Sequence, residues 1–265
     1  MKRAQIKGVG HYLPENVVPN AHFEKTLETS NDWIISRSGI ERRHFAAEDE
    51  TTSHLASHAA RAALKDAGLE ASDLDALIVA TSTPDLTFPS AATMVQHQIG
   101  MTGGFAFDIQ AVCAGFVFAL ANANALIVSG TAKRVMVIGA ETFSRIMDWT
   151  DRGTCVLFGD GAGALILEAA DGDGTAQDRG VLATDLNSDG TYRDILYVDG
   201  GVSTKTTGYL RMEGKEVFRH AIEKLAATAH TAMDSAGVTS EDVDWVVPHQ
   251  ANIRIIKGTA KKMNV

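Results

Sequence analysis

Cysteine is scarce in these 265 residues, with only Cys113 and Cys155, which excludes a disulfide framework. Proline stands at five positions, leaving long stretches free to form unbroken helices and strands. Positive charge is in deficit: 24 Lys and Arg against 33 Asp and Glu give a net charge of −9, which argues against nucleic acid as the default partner. No apolar segment follows the two basic residues of the opening MKRAQIKGVGHYLPEN, so the expectation is a cytoplasmic, reduced protein. Long hydrophobic runs are also lacking, with one near-exception: residues 109–132 carry no charged side chain. Gln110, Asn122, Asn124 and Ser129 interrupt that run, and its apolar content is mostly small, so it reads as a helix buried on all sides rather than a membrane span.

What is present is an alternation of β-branched runs with helix-period runs. Strands are expected at 76–81, 105–111, 134–139, 156–158 with 164–168, 181–187 and 244–248. Helices are expected at 52–67, 91–99, 114–129, 215–236 and 252–263. Such alternation implies an α/β fold with mainly parallel strands. The glycine-rich FGDGAGA at 158–164 lacks the spacing of a dinucleotide fingerprint.

An internal repeat is the stronger signal. AALKDAGLEASDLDALIVAT from Ala62 aligns with TAMDSAGVTSEDVDWVVPHQ from Thr231 at a shift of 169 residues without a gap. Ala63, Ala67, Gly68, Asp73 and Asp75 fall on Ala232, Ala236, Gly237, Asp242 and Asp244. Each copy reads as a helix, a glycine C-cap, an acidic turn and a buried strand. Two halves are therefore expected, 1–170 and 171–265. Shifted by 169, the later core strands of the first half fall beyond Val265, so the second half is expected to be incomplete and the native gene to continue past that residue.

The candidate chemistry starts at Cys113, in FDIQAVCAGFVFAL. It stands at an expected strand-to-helix junction, where free backbone N–H groups and the helix dipole lower a thiol's pKa, and the small Ala114 and Gly115 leave room for a substrate carbonyl. The plainer alternative is a small buried hydrophobe. Cys155, inside the apolar GTCVLFGDG, reads as packing. VVPHQAN places His249 at the end of an expected strand and beside a helix start, the edge where open α/β sheets form ligand crevices. The other eight histidines lack such a setting.

Taken together, DIQAVCAGFVFAL, WIISRSGIERRHF, FPSAA, DRGTCVLFGDGAGA and VPHQANIRIIKGTAKK resemble β-ketoacyl-acyl-carrier-protein synthase III, a condensing-enzyme family of the thiolase fold. The resemblance runs from about Gly8 to Lys262 in chain order. It implies a thiolase-like α/β architecture, a duplicated layered sandwich, and an acyltransferase that starts fatty-acid synthesis. Cys113 would take an acyl group from acyl-CoA, acetyl-CoA being the expected primer, and His249 would hydrogen-bond the thioester oxygen of malonyl-acyl-carrier protein as it decarboxylates. Trp33, Arg37 and Arg152 would surround the adenine and phosphates of CoA, and Gly214, Ala251 and Asn252 would line the pantetheine channel. Phe88 would bound the acyl pocket across a homodimer. No metal or redox cofactor is implied. The family's third catalytic group, an asparagine in an HGNTSAA-like motif, has no counterpart before Val265, so activity of the chain as it stands is expected to be incomplete.

One local exception interrupts the acidic total. From His249 to Val265 there are four basic residues, Arg254, Lys257, Lys261 and Lys262, and no acidic ones. Arg254, Lys257 and Lys261 recur on one helix face, suited to an acidic carrier protein and equally to a solvated surface. Three other readings stay open: a cysteine–histidine hydrolase, a non-catalytic binding or dimerisation fragment, and a related polyketide starter synthase.

Overall fold

The computed structural model describes residues 1–265. In chain order the elements are β1 (Lys2–Tyr12), β2 (Asn16–Pro19), α1 (Asn31–Ser38), β3 (Arg42–Phe45), α2 (Thr52–Ala67), β4 (Ala76–Ala80), α3 (Ala91–Ile99), β5 (Phe105–Ile109), α4 (Gly115–Val128), β6 (Arg134–Thr142) and β7 (Asp160–Asp171). There follow β8 (Leu196–Val198), β9 (Leu210–Met212), α5 (Gly214–Ala236) and α6 (Ile253–Met263). The chain divides into two compact units, each discontinuous in sequence: residues 1–16, 46–142 and 160–184 form the first, and 17–45, 143–159 and 185–265 the second. This differs from a single cut at residue 170, because two excursions from the first segment of chain join the second unit.

The first unit is built on a five-stranded sheet in the order β1-β7-β6-β4-β5. β4 runs parallel to β5 and β6, while β7 is antiparallel to β6 and to β1, so the sheet is mixed. All five residues of β4 are buried, as a central strand covered on both faces requires. β6 sorts its side chains by the two-residue period of a strand: Met136, Ile138 and Ala140 pack with α2 and α3, whereas Val135 and Val137 pack with Ala119, Ala123 and Ile127 of α4. β1 carries no clear strand signal in the sequence because two glycines, Gly8 and Gly10, interrupt it. They are there for approach: a Cβ on Gly8 would lie 2.6 Å from the Ala63 carbonyl oxygen, so α2 rests directly on the strand backbone.

α4 is not buried all round. Gly115, Ala119, Ala123 and Ile127 form one buried stripe at four-residue spacing, and Val117 and Val128 are exposed on the other side. No helix of the chain is long and apolar enough to cross a membrane.

The second unit holds two short ribbons, β2-β3 and β8-β9, with α1, α5 and α6. Ser30 caps α1 by accepting from the Trp33 N–H at 3.1 Å, and Gly39 ends it in the left-handed conformation. That glycine also lies against Ile253, the first residue of α6; a Cβ there would come within 2.9 Å of the Ile253 Cβ. α1 and the start of α6 are thereby held side by side. At the centre of the unit Arg43 is buried with no carboxylate partner. It donates from Nη1 to Val18 O (3.1 Å) and Asn20 Oδ1 (2.9 Å) and from Nη2 to Val156 O (2.7 Å), with its guanidinium over the Phe23 ring. Burial lowers its pKa to about 10.

Three expected strands do not form. Residues 152–157 coil into successive turns because Asp151 gathers the following donors: its carboxylate accepts from Gly153 N (2.8 Å) and Thr154 Oγ1 (2.8 Å), and its carbonyl from Cys155 N (3.1 Å). Residues 181–187 are irregular; Val181 N reaches Ala4 O at 2.9 Å, but Asp185 turns its carboxylate to Thr228 and Asn187. Residues 243–250 form no strand, and Trp245 and Val247 are 86% and 88% exposed.

The repeat nevertheless has a local structural counterpart. Gly68 ends α2 at φ 66°, ψ 36° and Gly237 ends α5 at φ 71°, ψ 32°. Two residues later each copy makes a short 3-10 turn closed by reciprocal capping, Glu70 with Asp73 and Thr239 with Asp242. These correspond at the same shift of 169.

Replacing Arg43 with Met should lower stability by about 3 kcal/mol, because three buried acceptors lose their donor. Denaturant unfolding would show this as a reduced midpoint; an unchanged midpoint would contradict the role assigned to the guanidinium.

Candidate active site

In the first unit the side chain of interest is Cys113. β5 ends at Ile109, a 3-10 turn spans Val112–Ala114, and α4 begins at Gly115. Val112, immediately before the cysteine, has φ 48°, a left-handed conformation that a β-branched residue adopts only at a cost of roughly 1–3 kcal/mol. The turn is therefore over-determined by its surroundings. Gly115 lets helix and sheet approach closely: a Cβ there would meet the Ala80 Cβ at 3.2 Å, so the start of α4 lies on the end of β4.

Cys113 is exposed as a residue. Protein atoms still crowd its sulfur, and this desolvation, with the charge of Glu141 second, pushes the thiol above its ordinary value. The lowering expected from the helix terminus is thus outweighed. A 3-10 turn separates the sulfur from the first turn of α4, and a carboxylate stands near it. Cys155 is fully buried and pushed up to about 11, by burial first and Asp151 second, as a packing residue would be. Phe88 is 83% exposed, so it is no core phenylalanine of this unit.

In the second unit the structure brings together the three residues expected at the CoA end. Trp33 and Arg37 lie on α1, and the Arg37 guanidinium sits 5.8 Å from the indole centroid. Arg152, far away in sequence, places its guanidinium 4.8 Å from the same ring and donates to the Glu28 carbonyl. Its turn is held by Asp148, which accepts from Thr150 Oγ1 (2.6 Å) and from Arg211 Nη1 (2.8 Å); the Thr150 hydroxyl and then Arg211 hold the Asp148 carboxyl down at about 2. Asp148 and Arg211 were not foreseen, although an Asp two residues before a Thr, as in DWT, is a recognised turn signal.

His249 lies in the irregular segment ahead of α6, not at a strand end. Its carbonyl accepts from Ala251 N at 2.9 Å, and desolvation lowers the imidazole pKa, favouring the neutral ring. A neutral imidazole carries one N–H donor. Asn252 caps α6, its Oδ1 accepting from Arg254 N (3.0 Å) and Ile255 N (2.9 Å), so that oxygen is committed to the helix. Ala251 is half-buried beside it, and Gly214 is exposed at the first position of α5. Along α6, Arg254, Lys257, Lys261 and Lys262 are all exposed. Arg254 stacks over Phe218 at 5.0 Å, Lys262 pairs with Glu223 at 3.3 Å, and Lys257 and Lys261 carry no ion pair.

Comparison with known proteins adds to this geometry. Residues 107–190 match the family model of 3-Oxoacyl-[acyl-carrier-protein (ACP)] synthase III, and residues 233–265 match its C-terminal model. The chain is 76% identical over 263 residues to a β-ketoacyl-[acyl-carrier-protein] synthase III of Ruegeria pomeroyi, covering 99% of this chain and 81% of that one. It is 74% identical, at the same coverage, to one of Roseobacter denitrificans. A solved 3-oxoacyl-[acyl-carrier-protein] synthase III from Aquifex aeolicus superposes with a TM-score of 0.91 at 44% identity, covering 99% of this chain and 81% of that one. A priming β-ketosynthase of the R1128 polyketide pathway superposes equally well, at 0.91, but at 32% identity, covering 99% of this chain and 79% of that one. With its thiolase-like α/β fold, the chain belongs to the 3-oxoacyl-[acyl-carrier-protein] synthase III family.

Proposed function

We propose that this β-ketoacyl-acyl-carrier-protein synthase III uses Cys113 as its nucleophile and His249 as a hydrogen-bond donor. The observation carrying this is the setting of Cys113: the chain's one exposed cysteine, fixed on a strained turn where β5 passes into α4. Attack of Sγ on the carbonyl of acyl-CoA forms the Cys113 thioester and breaks the bond to CoA, and the thiol proton leaves with CoA as its free thiol. Because the thiolate is the attacking form, the thiol proton has to leave Sγ as the new thioester forms, and it ends on the departing CoA sulfur. In the second half-reaction malonyl-acyl-carrier protein loses carbon dioxide, and the enolate attacks the acyl carbon, returning the cysteine. A neutral His249 would donate its N–H to the enolate oxygen as charge develops there.

The Trp33–Arg37–Arg152 cluster fits the nucleotide end of CoA, an indole and two guanidinium groups meeting a purine and phosphates. Gly214, Ala251 and Asn252 fit the channel role through their backbone and small size. Phe88 fits a subunit-bridging role, because its ring projects from its own unit. β5 ends its sheet with one edge unpaired, and Phe105 on it is exposed, which supports a homodimer in which a second copy covers that edge. The exposed, largely unpaired cations of α6 fit an acidic acyl carrier protein. The reaction needs no metal or redox cofactor and belongs in the cytoplasm.

Intact mass after incubation with acetyl-CoA tests the nucleophile. An acetyl adduct is expected on the native protein and on Cys155→Ala but not on Cys113→Ala; an adduct that survives Cys113→Ala would end the assignment. Trp33→Ala should raise the KM for acetyl-CoA by roughly tenfold, through loss of the stacking face, and an unchanged KM would remove the cluster from CoA binding. Arg254→Glu should impair condensation with malonyl-acyl-carrier protein several-fold more than acetyl transfer from CoA, read in parallel assays; equal losses would remove the docking role.

A further inference from the structure

α2 has no cap of its own. Thr51 stands at its N-cap position in an extended conformation, and its side chain accepts from no backbone N–H of the first turn. The missing acceptor comes from Asp85, in the loop between β4 and α3: Oδ1 accepts from Ser53 N at 2.8 Å and Oδ2 from Ser53 Oγ at 2.7 Å. A carboxylate in this place satisfies a free N–H and faces the positive end of the helix dipole. The Ser53 hydroxyl oxygen also accepts from Gln98 Nε2 of α3 at 3.0 Å, which leaves its hydrogen for Asp85.

This contact is the last of a series of anchors along the stem of the loop. Thr81 N donates to Ile109 O at 3.1 Å, Ser82 N to Glu141 Oε1 at 2.8 Å, and Thr83 Oγ1 to Glu141 Oε2 at 2.6 Å. The Thr83 carbonyl accepts from Thr52 Oγ1 at 2.5 Å, and its hydroxyl oxygen accepts from Thr142 N at 2.9 Å. At the far end Ser90 caps α3, and Asp108 accepts from Ala91 N and Ala92 N at 2.7 Å each. Between these anchors residues 86–89 make no hydrogen bond and are all exposed, with Leu86 and Phe88 at the tip. The tip therefore takes its conformation from its two ends. Loss of the Asp85 contact would move the upstream anchor back to Thr83 and lengthen the unanchored span from 86–89 to 84–89.

We infer that Asp85 is a positioning residue for primer selection: by capping α2 it fixes the stem of the Phe88 loop, and so sets where the Phe88 ring stands and how long an acyl chain is accepted. The inference rests on Phe88 bounding the acyl pocket of a second copy, and it goes beyond that reading by naming what holds the ring in place. A ring that turns long chains away does so only while it cannot swing aside. Each methylene rejected in an apolar pocket is worth a modest factor, so a small displacement of the ring is enough to change the selection.

The test compares kcat/KM for acetyl-CoA and hexanoyl-CoA, each with malonyl-acyl-carrier protein, and records thermal unfolding of every variant. Asp85→Ala should raise the hexanoyl-to-acetyl ratio roughly fivefold, mainly through a lower KM for hexanoyl-CoA. Asp85→Asn, whose amide oxygen still accepts from Ser53 N, should stay near the native ratio. Adding Thr51→Asp to Asp85→Ala supplies a cap from the chain next to the helix, and should restore the melting temperature while the ratio stays raised. A ratio that recovers together with the melting temperature would mark a purely structural role and overturn the inference, as would an unchanged ratio in Asp85→Ala when Phe88→Ala raises it. Failure of the underlying reading is distinct: Phe88→Ala would then itself leave the ratio unchanged, and the premise would fall with the inference built on it.

Discussion

The close seating of α4 on the central strands is the constraint from which the candidate site follows. Gly115 lies against Ala80 and Gly139 lies under Phe116, so helix and sheet meet where a methyl group would be tight. That closeness leaves the chain between Ile109 and Gly115 little freedom. It must leave the sheet, turn and enter the helix within a few residues, and Val112 takes up the strain in a left-handed conformation. Packing density thus becomes the position of a sulfur atom. The parallel β4–β5 and β4–β6 pairings underlie this, since a strand–helix–strand crossover brings the start of each helix back to the strand ends.

Charge plays different roles in the two units. Around Cys113 the side chains are neutral apart from one carboxylate, and burial dominates the chemistry of the thiol. In the second unit, cations set the geometry: Arg43 knits turns through carbonyl oxygens, Arg211 ties Asp148 to Asp199, and Arg152 lies over an indole. A guanidinium can do this because its planar fork offers several donors in fixed directions and stacks on rings. The net acidity of the chain therefore gives no guide to these sites.

The sequence was most legible where one period dominated. Thr52–Ala67 and Ala91–Ile99 match the expected helices residue for residue, and β4, β5 and β6 lie where β-branched runs placed them. Legibility failed where another interaction overrode the period. β1 was hidden by glycines needed for helix approach, and the 156–158 strand was displaced by the turn chemistry of Asp151. The apolar run at 109–132 signalled burial, but only every fourth residue of its helix is buried, because small residues on one stripe suffice for the close contact. For the site, the motif resemblance picked out the Trp33, Arg37 and Arg152 cluster that the structure assembles. Glu141, Asp148 and Val112 stayed out of view because their importance lies in backbone geometry and in partners distant along the chain.

The central claim is that backbone constraint at the end of β5 presents Cys113, and no other group, to an acyl thioester. Crystals soaked with acetyl-CoA and solved at high resolution test it most directly. The account predicts density for an acetyl group continuous with Cys113 Sγ while Val112 retains its positive φ. Acetyl density on another side chain, or an acylated Cys113 with Val112 relaxed to an ordinary conformation, would contradict it.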